Sequence, residues 1–229
     1  MFYFRSGEVE LANIVIKNCG LAEQTSPITV NGCSTLRLTH VEFEDNQNSA
    51  GPATVGFENA TCSSFVMNDV LFRNNSGMSQ GIGQLAGDTM MNQVTVADNA
   101  GSSHIFGATK KSDVTVVAVN ANNNLVTLFQ VENSLLTIRD SNFNKNGGNE
   151  VDGAVVNAFD DSEITISKCR FTRSLGQRGG AVHAVSSVVQ ISGSSFFNNS
   201  AERGGTCFFE NVNLTVSNSS FQSNRADDD

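Results

Sequence analysis

The sequence predicts an all-β chain folded as a right-handed parallel β-helix, a solenoid of about nine coils of 22–29 residues, and three observations carry that prediction. A Phe-x-x-Asn motif recurs along the chain. Apolar residues stand at fixed offsets before each copy, with the two-residue period of strands. Composition favours strands and turns over helices, with 20 Gly, 16 Phe and only 2 Pro beside abundant Asn, Ser, Thr and Val.

The repeat sets the frame for every other position. The motif is intact at Phe43 with Asn46, Phe72 with Asn75, Phe143 with Asn146, Phe196 with Asn199 and Phe221 with Asn224. It is degenerate at Ile16 with Cys19, Val96 with Asn99, Ala121 with Asn124 and Phe171 with Ser174. Successive anchors lie 22 to 29 residues apart. Turns of a solenoid absorb such scatter while strands keep register, and the 3.6-residue apolar period of a helical repeat is absent.

Each coil then reads in order. Five residues before the anchor stand Leu11, Leu38, Met67, Met91, Val116, Ile138, Ile166, Ile191 and Val216, and seven before it are mostly apolar residues such as Leu36, Phe65 and Ile164. Alternate residues therefore point inward, as in a strand with one buried face. Two before the anchor is a column of small or β-branched residues, from Ile14 through Val70 to Ser219. The change of parity between offsets five and two requires a bend between two short strands. A further strand follows a glycine corner, best seen in Gly179-Gly180-Ala181-Val182 and Gly204-Gly205-Thr206-Cys207.

Stacked side chains explain the polar columns. Asn46, Asn75, Asn99, Asn124, Asn146, Asn199 and Asn224 would lie about 4.8 Å apart, where amides hydrogen-bond to one another and to turn backbone. Asn also tolerates the left-handed conformation that a corner needs. A second column, nine before the anchor, holds Ser34, Ser63, Ser112, Ser134, Ser162 and Ser187. Charges follow the same register, with Glu44 beside Arg73, Asp140 beside Lys168 and His40 beside Asp69 in adjacent coils. Cys33 and Cys62 share a column in neighbouring coils. A Cα separation of about 4.8 Å there admits a disulfide and equally suits two small unbonded side chains.

Composition also bounds function. The net charge of −9 and pI near 4.7 argue against nucleic acid as a partner. No apolar run is long enough to span a membrane, and Met1 to Gly7 lacks the parts of a signal peptide. Five cysteines without Cys-x-x-Cys spacing form no zinc or redox motif, and neither metal nor cofactor is expected. Residues 1–229 read as a single domain that starts and stops within coils, which suggests a fragment of a longer solenoid with both ends uncapped. Glycosylation sequons stand at Asn59, Asn74, Asn198, Asn213 and Asn218.

Gly179-Gly180-Ala181-Val182 together with the five intact Phe-x-x-Asn motifs resembles the repeats of chlamydial polymorphic outer membrane proteins, across nearly the whole chain. That resemblance implies a parallel β-helix passenger displayed at the cell surface and linked to adhesion. The expected role is thus a non-catalytic extracellular or cell-surface scaffold that binds a surface protein or glycan. The architecture is also pectate-lyase-like, so a carbohydrate-active enzyme or its inactive remnant is the alternative. Asp160, Asp161, Asp152, Lys168, Arg170 and His183 are the candidate residues for it, as a loose acid, base and cation cluster on adjoining coils. Recognition is expected in the irregular turns 46–53 and 147–152.

Overall fold

The computed structural model describes residues 2–5, 7–21, 26–31, 34–48, 54–58, 64–77, 83–85, 87–101, 104–109 and 111–228. Among them the chain is all β and every strand pairing is parallel, so the coils stack as a solenoid. One sheet of nine strands takes one strand from each rung: Phe2–Phe4, Ile28–Asn31, Val55–Glu58, Gly83–Leu85, His104–Ala108, Thr127–Glu132, Val156–Phe159, Val182–Val185 and Cys207–Glu210. Nine rungs in line enclose about eight turns.

The residues before the anchors build a second sheet of 15 strands that bends. In the first coils single strands, Gly7–Lys17, Ser34–Glu44 and Ser64–Arg73, run through the bend. Later coils split there, as in Glu163–Ser167 followed by Arg170–Thr172. The bend lies three residues before the anchor. Asn13, His40, Asp69, Gln93, Ala118, Asp140, Lys168, Gly193 and Asn218 all have φ between 47° and 57° there. A left-handed residue breaks the alternation, which is why apolar offsets change from odd to even across it.

A second left-handed corner falls two residues after the anchor, at Asn18, Asp45, Asn74, Asp98, Asn123, Lys145, Arg173, Asn198 and Ser223. The Asn of the motif, one residue later, is therefore not the left-handed corner residue. Its work is the ladder. At each of these steps the backbone N–H and Nδ2 of one Asn both donate to Oδ1 of the next: Asn46 to Asn75, Asn75 to Asn99, Asn99 to Asn124, Asn124 to Asn146, and Asn199 to Asn224. Each Nδ2 also donates to the carbonyl of the previous coil's anchor, as from Asn75 to Phe43 at 2.9 Å. The buried turn backbone is thereby satisfied. Serines do the same elsewhere, Ser134 Oγ accepting from the Ser112 amide and Ser194 Oγ from the Cys169 amide, both at 3.1 Å.

A column of aromatic rings formed by the anchors themselves runs through the core. Phe43 and Phe72 stack at 5.0 Å, and Phe143, Phe171, Phe196 and Phe221 continue the stack at 5.0, 4.6 and 4.6 Å. Between them the anchors shrink to Val96 and Ala121. There Phe106 and Phe129, from the nine-stranded sheet, fill the interior, with Phe106 meeting Phe72 edge-on at 5.2 Å. This exchange of aromatic volume between sheets keeps the interior packed.

The expected charge pairs divide. Arg73 and Glu44 form an ion pair, and Lys17 from the preceding coil joins it at 3.2 Å. His40 Nε2 stands 3.4 Å from Asp69 Oδ2. Asp140, however, pairs with Arg139 of its own coil at 3.6 Å and not with Lys168. Both Asp140 and Lys168 occupy the left-handed bend, whereas Arg139 lies one residue away on the same turn. Cys33 and Cys62 lie outside the described residues.

Candidate functional site

A third face follows the Asn corner and is interrupted. Before the interruption it is a four-stranded sheet of Gly20–Leu21, Gln47–Asn48, Ser76–Gly77 and Ala100–Gly101. After it comes a three-stranded sheet of Leu175–Arg178, Ser200–Arg203 and Arg225–Ala226. Two coils lie between, and the second carries the longer turn 147–153. Gly147 starts that turn at φ +88°, where a Cβ would clash with the Leu175 carbonyl and the Ala154 side chain. Only glycine lets the turn pass so close to the next coil.

The turn is pinned to the following strand at both sides. The Gln177 amide donates to the Val151 carbonyl at 2.6 Å, and the Gly153 amide donates to the Arg178 carbonyl at 2.9 Å. Arg178 then grips Asp152 with two bonds, Nε to Oδ1 at 2.9 Å and a second guanidinium nitrogen to Oδ2 at 2.5 Å. Burial pushes the Asp152 carboxyl up, but the Arg178 bonds and charge together with His183 outweigh it and hold the group below the usual range. Fork-to-fork geometry of this kind fixes orientation as well as charge.

Two clefts flank the pinned turn. One, of about 440 Å³, is lined by Gly101, Leu125, Val126 and the turn residues Gly148, Asn149, Glu150 and Val151. Leu125 forms its apolar floor and is 62 % exposed. The other, of about 220 Å³, is lined by Gln177, Arg178, Glu202 and Arg203. An apolar patch beside polar and charged groups is the usual make-up of a recognition site.

The six candidate residues named from the sequence are spread around two adjoining coils, with His183 on the second. Asp152 and His183 come together, coupled electrostatically to each other and to Arg178. His183 is 4 % exposed, with its Nδ1 2.8 Å from Asn157 Oδ1 and its Nε2 without a partner. Burial lowers its proton affinity, so it is neutral near pH 7. Asp160 and Asp161 are exposed corner residues at φ 54° and 58°, between Val156–Phe159 and Glu163–Ser167. Asp161 borders a shallow depression with Lys111, Asp113 and Glu163. Lys168 is the left-handed bend residue, and Arg170 is an exposed strand residue paired with Asn142 and Ser195. The paired aspartates are thus accounted for by the corner they build, since Asp adopts the left-handed region at low cost.

Arg178, Arg203, Gln177 and Leu125 escaped the sequence reading. A signal for the first two exists: Gln177-Arg178-Gly179-Gly180 and Glu202-Arg203-Gly204-Gly205 repeat an acid-or-amide, Arg, Gly, Gly pattern one coil apart. Leu125 had none, because its column varies from Gly20 and Gln47 to Leu175 and Arg225, and only the longer turn makes it a floor. Among the described residues no group of three or more His, Cys, Asp or Glu is arranged to hold a metal ion, and no helix is long and apolar enough to cross a membrane. No protein-family model matches the chain, and no curated protein matches it either.

Proposed function

We propose that this solenoid is an extracellular or cell-surface binding scaffold, and that it recognises a glycan or surface protein through the interrupted face around residues 147–153. The observation that carries the reading is the pairing of a rigid, pinned turn with two open clefts on an otherwise regular stack. Regular coils serve folding, so an irregular turn held at this precision is where a partner would be read. The dispersal of Asp160 and Asp161, Lys168 and Arg170 over a corner, a bend and a strand favours binding over acid and base chemistry. Asn74, Asn198, Asn213 and Asn218, four of the sequons, carry exposed residues, which agrees with a glycosylated extracellular chain. The likeness to surface-displayed passenger repeats points the same way.

A panel of neutral and acidic polysaccharides, screened for binding and for chain cleavage with and without calcium, tests the proposal. Binding without cleavage, weakened by Leu125→Asp, is the expected result. Cleavage that disappears in an Asp160→Asn, Asp161→Asn double variant would replace the scaffold with an enzyme.

A further inference from the structure

Arg178 and Arg203 occupy the same register in adjacent strands of the three-stranded sheet. Like charges directly across a pair repel, and nothing in the fold requires two guanidiniums there. Their neighbours do not resolve the repulsion equally. Arg178 is held by Asp152 through Nε and one terminal nitrogen, leaving its other terminal nitrogen uncommitted. Arg203 makes no ion pair among the described residues, although Glu202 and Asp228 are close in sequence and register. Asp227 is taken by Arg225 at 2.5 Å. The cleft between the two arginines, about 220 Å³, is completed by Gln177 and Glu202.

We propose that this cleft is a subsite for an anionic oxygen group carried on a saccharide, either a uronate carboxylate or a sulfate ester. The inference rests on the scaffold reading above and supplies its ligand class. A planar or tetrahedral anion set between two guanidiniums accepts charge-assisted bonds from both and removes their mutual repulsion. Asp152 serves as the positioning residue, because its two bonds fix the plane of Arg178 before any ligand arrives. Gln177 offers a neutral donor for a neighbouring hydroxyl, and Glu202 an acceptor. Asp152 and Glu202 balance the two guanidiniums, so in a chain of net charge −9 the cleft exerts no general attraction on polyanions and favours an anion that reaches Arg203 directly.

The test uses the full chain with immobilised polygalacturonate, dextran sulfate and neutral dextran, comparing wild type, Arg203→Gln and a Lys145→Gln control. Arg203 is exposed and unpaired, so its variant folds. Saturable binding to one of the two acidic polymers, weakened about tenfold by Arg203→Gln and unchanged by Lys145→Gln, is expected, and the polymer preferred identifies carboxylate or sulfate as the group. Equal losses in both variants, or no loss in Arg203→Gln, would overturn the subsite by showing unspecific attraction. Binding to neutral dextran alone would overturn it while leaving the scaffold reading in place. No binding to any polymer would overturn the subsite and turn the scaffold reading toward a protein partner.

Discussion

At the scale of single residues, the polar groups of this chain are used for corners and ladders, and the few that are not so used mark the site. His183 shows how. It lies on a strand between Val182 and Ala184, which face the core, yet it is itself buried beside Phe208 and coupled to Asp152, Arg178 and Glu210. Burial is the main cause that lowers its pKa from the ordinary 6.5. The unfolded chain therefore takes up a proton below pH 6.5 that the folded chain resists, and stability falls as pH drops through that window. Asp152 acts in the same direction at lower pH, since its depressed pKa makes stability fall again only in the carboxylate range. Urea midpoints measured from pH 7.5 to 5.5 are expected to decline, and His183→Gln is expected to make that decline shallower. An unchanged slope would mean that His183 does not carry the effect.

At the scale of elements, the Asn ladder among the described residues begins at Cys19 and is broken internally at Ser174. The bonds that join each rung to the next stop there: the Asn146 amide finds no side-chain acceptor, the Phe143 carbonyl lacks the amide donor that the other anchor carbonyls receive, and Ser174 Oγ is buried without a partner. Ser174 still passes its own N–H to Asn199 Oδ1 at 2.9 Å, so the backbone is in ladder geometry and only the side chain is short. Ser174→Asn is expected to restore the missing bonds and stabilise the chain by about 1–2 kcal/mol, read as a higher denaturant midpoint with an unchanged slope. A lower midpoint would mean that the space beside Ser174 cannot take an amide. The longer turn that interrupts the third face enters in the preceding coil, directly after Asn146, where Gly147 bridges to Leu175 beside Ser174. Ladder defect and recognition turn are neighbours.

At the scale of the whole molecule, the interior is continuous although no single column of side chains runs its length. The anchor stack of Phe43 and Phe72 hands over to Phe106 and Phe129 where the anchors become Val96 and Ala121, and returns to the anchors at Phe143. Phe129 is 1 % exposed and stands at the middle of that exchange. Phe129→Ala is expected to cost about 3–5 kcal/mol, more than its position outside the repeat motif suggests, because the buried anchor of its own coil, Ala121, is too small to fill the cavity. Thermal or denaturant unfolding of the variant checks this. A loss of less than about 1 kcal/mol would show that the coils settle around the gap.

The sequence by itself determined the stack. Anchors such as Phe43, Phe72 and Phe143, the apolar offsets before them and the Asn column are set by local rules of strand alternation and by one residue type recurring at each rung, and local rules are legible in one dimension. It also carried the bend, as a change of parity between Leu38 and Val41, though not which residue turned left-handed. The tertiary structure alone decided the rest. The hand-over of the core to Phe106 and Phe129 depends on volume shared between two sheets. The meeting of Asp152 with Arg178 depends on how one longer turn lies across a neighbouring coil, whereas Arg203 stands beside Arg178 by strand register and Asp160, Asp161, Lys168 and Arg170 are kept apart by the corner, bend and strand they occupy. Such a turn breaks the period by which every other position is read, so its contacts leave no pattern in the sequence.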